Sequence, residues 1–173
     1  ILIDTVAKFK MIGKEVYFPL SGSYKLETDL DLSESETWNE GQGYEPIGNN
    51  ISPFTGKFDG NGHKIRGVYI NRPNENNIGI FGVVGTSGVI ENLGVEDCVI
   101  IGNEQVGGIA GRNLGKIEKC YSKGIIEAIN NVGGLVGLNQ GRIKNSFSMG
   151  YILSLIHISE PTRLLSISYA VFC

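Results

Sequence analysis

The chain is poor in the residues on which most metal and nucleophilic chemistry depends. Its 173 residues include two histidines, three cysteines and one tryptophan. The cysteines stand alone, with no Cys-x-x-Cys pair, and there is no His-Glu-x-x-His motif, so zinc has no recognisable ligand set. No apolar run is long enough to cross a bilayer as a helix, and no membrane insertion is expected within this segment. A basic excess is missing as well. Fifteen Lys and Arg against 18 Asp and Glu give a formal charge of −3, which argues against nucleic acid or an anionic membrane as partner. Cys98 and Cys120 fall at different positions of the repeat described next, so stacking does not bring them together for a disulfide. Both read as small buried apolar residues.

What the chain has instead is glycine, 25 residues of it, arranged periodically. The string QVGGIAGRNLGKIEKC at Gln105 to Cys120 returns as NVGGLVGLNQGRIKNS at Asn131 to Ser146. A looser copy, NIGIFGVVGTSGVIENL, runs from Asn77 to Leu93 and shares the glycines and the Gly-x-Ile ending. Units of about 26 to 28 residues follow, at about 77–104, 105–130 and 131–152. A unit so short cannot bury a core alone, so neighbours must stack and share one.

The repeat columns name the interior: Ile90, Ile117 and Ile143; Leu93, Cys120 and Ser146; Val106 and Val132; Ile109 and Leu135. The glycines between them are too many for a helix, each costing about 1 kcal/mol relative to alanine. Short strands joined by glycine turns fit, and a parallel β-helix makes physical sense of like side chains stacking inward. Asn92 and Asn145 share a further column that Lys119 interrupts, which predicts a broken asparagine ladder at a bend. A leucine-rich repeat competes once, at Ile90 to Ile100, but fails at the next unit, where Ser122 and Glu127 occupy its apolar positions.

Upstream, Asp4 predicts the N-cap of a short helix with Val6, Phe9 and Ile12 on one face and Gly13 as its stop, placed to cover an open solenoid end. From Tyr24, alternation predicts a strand with Leu26, Thr28, Leu30 and Leu32 inward and Lys25, Glu27, Asp29 and Asp31 outward. Ser33 to Asn50 reads as a long loop anchored by Trp38. Asp59-Gly60 and Asn61-Gly62 predict a tight turn.

The ends differ from the body. The chain opens at Ile1 without methionine or a signal-type segment, which predicts a piece of a longer protein. LSLIHISEPTRLLSISYAVFC, Leu153 to Cys173, contains no glycine and resembles the in-frame translation of a transposon-type sequencing adapter, so residues 153–173 are expected to be a non-native tail that takes no part in the native fold. Residues 1–152 are then one β-solenoid segment. An unpaired edge near Tyr151 predicts that Ile152 to Ser159 add a strand without biological meaning.

GIFG at Gly79, GGIAG at Gly107 and GGLVG at Gly133, each before a Gly-x-Ile ending, resemble the GLUG repeat family, and TDLDL, PIG and FTGKFDGNGHKI upstream look like the segment preceding such repeats. The resemblance covers about residues 4–150. It implies an all-β, right-handed parallel β-helix or β-solenoid with a short N-terminal helix, found in bacterial secreted or cell-surface adhesin-like proteins and beside immunoglobulin A protease modules. It implies no catalytic residues, no cofactor and no metal. The expected role is adhesin, binding module or stalk, extracellular or at the cell surface. The segment is expected to be monomeric, with a host or surface glycan or protein as partner.

Asp29, Asp31, Ser33 and Glu40 fall at positions 1, 3, 5 and 12 of a calcium loop, but Glu34 stands where its glycine must turn, and a solvated strand face explains both aspartates. His63, the one histidine outside the tail, sits just after a tight turn and reads as a structural hydrogen-bonder. A polysaccharide lyase or glycosidase is the alternative enzyme class, and Asp59, Lys64 and Arg66 are the charges it would use. A plain solvated face is the expectation for these three. The glycine runs lack the Lys-Ser or Lys-Thr of a phosphate loop.

Overall fold

The structure, a computed structural model, describes residues 1–155 together with 171–172. Because glycine and asparagine corners interrupt the apolar-polar alternation at short intervals, most strands run two to four residues and the chain must turn repeatedly. It winds into a parallel β-solenoid of about six turns with one short helix. Sheet I stacks Leu2–Ile3, Ser23–Leu26, Lys57–Asp59, Val89–Glu91, Lys116–Glu118 and Arg142–Lys144. Sheet II stacks Leu30–Asp31, Lys64–Arg66, Gly94–Gly102, Tyr121–Ala128 and Phe147–Ser154, with Tyr69–Arg72 also on Gly94–Gly102 and Val171–Phe172 antiparallel on the last strand. Sheet III joins Phe81–Val84, Ala110–Asn113 and Val136–Asn139, and a fourth pair joins Glu104–Gly107 to Asn130–Gly133.

The expected columns are present. Ile90, Ile117 and Ile143 are in register, and Phe58 and Tyr24 continue that column upstream. Val106 pairs with Val132. The N–H of Tyr121 reaches the Leu93 carbonyl and that of Phe147 the Cys120 carbonyl, which stacks Leu93, Cys120 and Ser146. Such geometry excludes the leucine-rich repeat, since among the described residues the one α-helix is six residues long and lies outside the repeats.

Two corners explain the motif. In the four coils from Lys57 onward, the corner between sheets I and II places one residue at left-handed φ: Asn61 at 53°, Asn92 at 52°, Lys119 at 53° and Asn145 at 50°. The bend is therefore unbroken at Lys119, although its asparagine is missing. At the corner into sheet I, a Cβ on Gly115 would lie 2.2 Å from the Gly88 carbonyl oxygen, and one on Gly141 would lie 2.2 Å from that of Gly115. The glycine of Gly-x-Ile is thus imposed by the backbone of the coil beneath it.

The N-terminal turns enclose an aromatic interior: Phe54 and Phe81 lie 5.1 Å apart, Phe58 and Phe81 5.4 Å. The helix Val6–Met11 closes that end, with fully buried Phe9 against Phe58 at 5.8 Å and Tyr44 at 5.7 Å. Its N-cap is Thr5 rather than Asp4. The Thr5 hydroxyl accepts from the Lys8 N–H, while Asp4 pairs with the Lys8 ammonium. Gly13, at φ 80°, follows the helix as expected.

The alternation from Tyr24 is two strands, not one. Leu26, Leu30 and Leu32 are buried but Thr28 is exposed, because residues 27–29 form the corner between sheets I and II. Within the expected loop, Ser33–Thr37 and Asn39–Gly41 form 3₁₀ turns. At the far end Ile152 to Ser154 extend the last strand in parallel register on Ile126 to Ala128. Residues 156–159 of the expected added strand lie outside the described residues.

Candidate functional site

Sheet II displays the densest outward polar cluster. Ile65 points inward, so Lys64 and Arg66 project outward on either side of it, and the register sets Arg66 between Asp31 and Glu96. The Lys64 ammonium lies 3.1 Å from Glu96 Oε1, and Arg66 Nε lies 3.6 Å from Glu96 Oε2. Tyr121, one coil further, donates its hydroxyl to Glu96 Oε1 at 2.7 Å. On the other flank, Arg66 Nη2 is 3.6 Å from Asp29 Oδ2, and Asp29 Oδ1 accepts the Lys64 N–H at 3.1 Å and faces His63 Nδ1 at 3.2 Å. Charge-assisted bonds favour ionised carboxylates. The Tyr121 hydroxyl, followed by Lys64, holds Glu96 below the usual glutamate range. The Lys64 amide does the same for Asp29, with His63 and Arg66 adding to it. Burial, then the neighbouring Glu96 carboxylate, pushes the Tyr121 phenol up to about 12.

Beside this cluster runs a shallow groove of about 320 Å³. Its floor is glycine, Gly124 and Gly150, and one wall is the outward column Val99, Ile125 and Tyr151, in register across three coils. Asp97 and Lys123 stand at the opposite rim. Asp97, at φ 53°, is the extra residue of a bulge between the Val95–Ser122 and Cys98–Gly124 pairs. The bulge tilts the strand and opens the groove. Ile125 and Tyr151 are 39% and 51% exposed, apolar surface that folding leaves uncovered.

The three charges that the alternative enzyme class would use are not assembled into one site. Asp59 ends a strand of sheet I, where its Oδ1 accepts from the Asn61 N–H and the Asn92 amide, whereas Lys64 and Arg66 belong to sheet II and the Glu96 network. Asp31 caps the Ser33 N–H and Glu40 occupies a kinked turn at φ 56°. Among the described residues no three His, Cys, Asp or Glu gather as a metal set. Trp38 packs in its loop, with the Lys10 ammonium 3.9 Å above its ring. Cys98 and Cys120 are buried free thiols, each pushed to about 12 by burial. The sequence reading missed Glu96 and Tyr121. Their signal is the register itself, which places Tyr121 beside Lys64 through Gly94.

Residues 102–127 match the GLUG motif. The chain carries a GLUG motif. Over 133 residues it is 36% identical to halomucin of Haloquadratum walsbyi, an alignment spanning 74% of this chain and 1% of halomucin. Over 120 residues it is 37% identical to a protein of Evansella cellulosilytica provisionally described as a Gly-rich membrane protein, spanning 68% of this chain and 14% of that protein. The chain thus corresponds to a small part of these curated relatives. A solved structure from Bacteroides ovatus, provisionally described as an immunoglobulin A1 protease, is similar over 91% of this chain and 71% of its own, at 16% identity and a TM-score of 0.42. The GLUG match is one turn of the solenoid. Glu127, its last residue, stacks in register on Ile101, the residue just before the match begins.

Proposed function

We propose that this GLUG-repeat segment is a non-catalytic part of a secreted or cell-surface protein, acting as adhesin, binding module or stalk, with a glycan or protein as the partner of its outer face. The observation that carries the reading is the division of labour on sheet II. Outward carboxylates are tied to cations on neighbouring coils, as Glu96 is to Lys64 and Arg66, while the groove beside them keeps apolar residues exposed. A surface whose charges are mutually satisfied suits holding rather than proton transfer. Similarity to halomucin and to a described membrane protein supports the surface location.

The test is a screen of the purified chain against glycan arrays and immobilised extracellular proteins, with Ile125→Lys as the groove variant. Saturable binding that Ile125→Lys removes supports a binding module; uniformly negative results leave the stalk role. Release of products from uronans overturns the non-catalytic reading.

A further inference from the structure

The apolar column on the outer face of sheet II is longer than the groove beside it. Tyr69 pairs with Val99, Val99 with Ile125 and Ile125 with Tyr151, so four stacked coils present Tyr, Val, Ile and Tyr in one line. Their neighbours Ile70, Ile100 and Ile126 are buried, which fixes the column on the outside. It reads alike from either end, with an aromatic ring at each end and two β-branched residues between. The rim of the groove repeats this symmetry in charge. Asp97 belongs to the coil of Val99 and Lys123 to the coil of Ile125, and the bulge sets Glu96 and Asp97 against Lys123. Asp97 and Lys123 are both exposed, and among the described residues neither side chain enters a hydrogen bond or ion pair. Lys64, Arg66 and Glu96, on the same sheet, are tied to one another.

We propose that this face packs on the same face of a second copy of the chain, about a two-fold axis that runs along the strands midway between the coils of Val99 and Ile125. Rotation about such an axis reverses the order of the coils and leaves position along the strand unchanged. Tyr69 then meets the partner's Tyr151, and Val99 meets the partner's Ile125. Asp97 meets the partner's Lys123 and Lys123 the partner's Asp97, two opposite-charge pairs that one copy alone leaves unmade. Charge selects this register. An axis through either coil would oppose Asp97 to the partner's Asp97 or Lys123 to the partner's Lys123. A peptide adding as a strand has no ladder to join here, because the backbone of these coils already pairs within sheet II. Contact is therefore between side chains, sheet face on sheet face. The column spans only about 14 Å at ~4.8 Å per coil, so its patch falls below the ~800 Å² per partner of a stable complex and the pairing is weak and reversible. The inference rests on the reading of this face as a holding surface, yet the two fail separately. A chain that stays monomeric but binds in the glycan and protein screens overturns the pairing alone.

Sedimentation equilibrium of the full chain is expected to show a reversible step from monomer to dimer that weakens as salt is raised. Lys123→Asp alters a two-fold contact twice, opposing carboxylate to carboxylate, and weakens it at least about tenfold. Asp97→Lys does the same with two ammonium pairs. An equimolar mixture of these two variants rebuilds both opposite-charge pairs as a heterodimer, and association returns to within about threefold of the unchanged chain. Asp97 holds a left-handed φ, so Asp97→Asn, which keeps that conformation easily, is the second variant should Asp97→Lys not fold. It weakens the dimer about threefold at low ionic strength. Circular dichroism establishes that each variant is folded. A chain that is monomeric at every concentration overturns the proposal. Dimers that Lys123→Asp leaves unchanged overturn it too, by placing the contact elsewhere, as do folded charge-swapped variants whose mixture does not associate.

Discussion

At the scale of single residues, the glycines separate into two kinds. Gly115 is held by its neighbours: a methyl group there meets backbone carbonyl oxygen at 2.2 Å, and that backbone cannot step aside without moving a coil. Gly62 is held by its own conformation, φ 81°, with open space around it. Gly115→Ala is expected to cost about 3 kcal/mol through overpacking, and Gly62→Ala about 1 kcal/mol through left-handed strain. Urea denaturation of both variants checks the order, and equal losses would refute the close-approach account. Titration belongs here too. Because Glu96 and Asp29 are held below their ordinary values, their ionised forms stabilise the fold above those values, and this contribution is lost as pH falls through 4.5 and below for Glu96. The urea midpoint should fall on acidification, and Glu96→Gln should flatten that fall. Lys64, Arg66 and Asp29 were visible in the sequence as outward charges. Their assembly was not, because Glu96 and Tyr121 reach them only through cross-coil register.

At the scale of elements, periodicity revealed the interior and hid the corners. Columns such as Ile90, Ile117 and Ile143 repeat in identity, so subtraction of one copy from another finds them. The bend between sheets I and II repeats in conformation instead, and Lys119 disguises it by holding the asparagine shape without an asparagine side chain. The same cause split the strand at Thr28: alternation persists through a corner in the sequence, yet the chain has already changed sheet. Lys119 now makes a prediction. A lysine at φ 53° bears left-handed strain that asparagine bears more easily, so Lys119→Asn should stabilise the protein by about 0.5–1 kcal/mol, read as a raised thermal midpoint. At the helix, Thr5→Ala should cost about 1 kcal/mol for the lost cap bond to Lys8, while Asp4→Ala, removing only an exposed ion pair, should cost less. If Asp4→Ala proves the more damaging, the cap assignment is wrong.

At the scale of the whole molecule, a solenoid has no central core to average over, and stability is a sum of coil and interface terms along one axis. The terms are unequal here. Phe9, Phe54, Phe58 and Phe81 fill the closed end, whereas the interior further along holds buried Ser122, Ser146 and Ser148, of which Ser122 and Ser148 pack against Gly108 and Gly134. The Leu93, Cys120, Ser146 column and the Val95, Ser122, Ser148 column both lose apolar surface from coil to coil. Ordinary apolar burial contributes about 25 cal/mol per Å², so each step from Val or Leu to Ser lowers the local opening free energy. Amide hydrogen exchange should therefore be graded: slowest at Lys57–Asp59 and Phe81–Val84, intermediate at Ala110–Asn113, and fastest at Val136–Asn139 and Arg142–Lys144. Phe58→Ala, a loss of about 3–5 kcal/mol at the closed end, should accelerate exchange most in its own and adjoining coils. A uniform response along the chain would show that the coils open as one cooperative unit, and would refute the graded account.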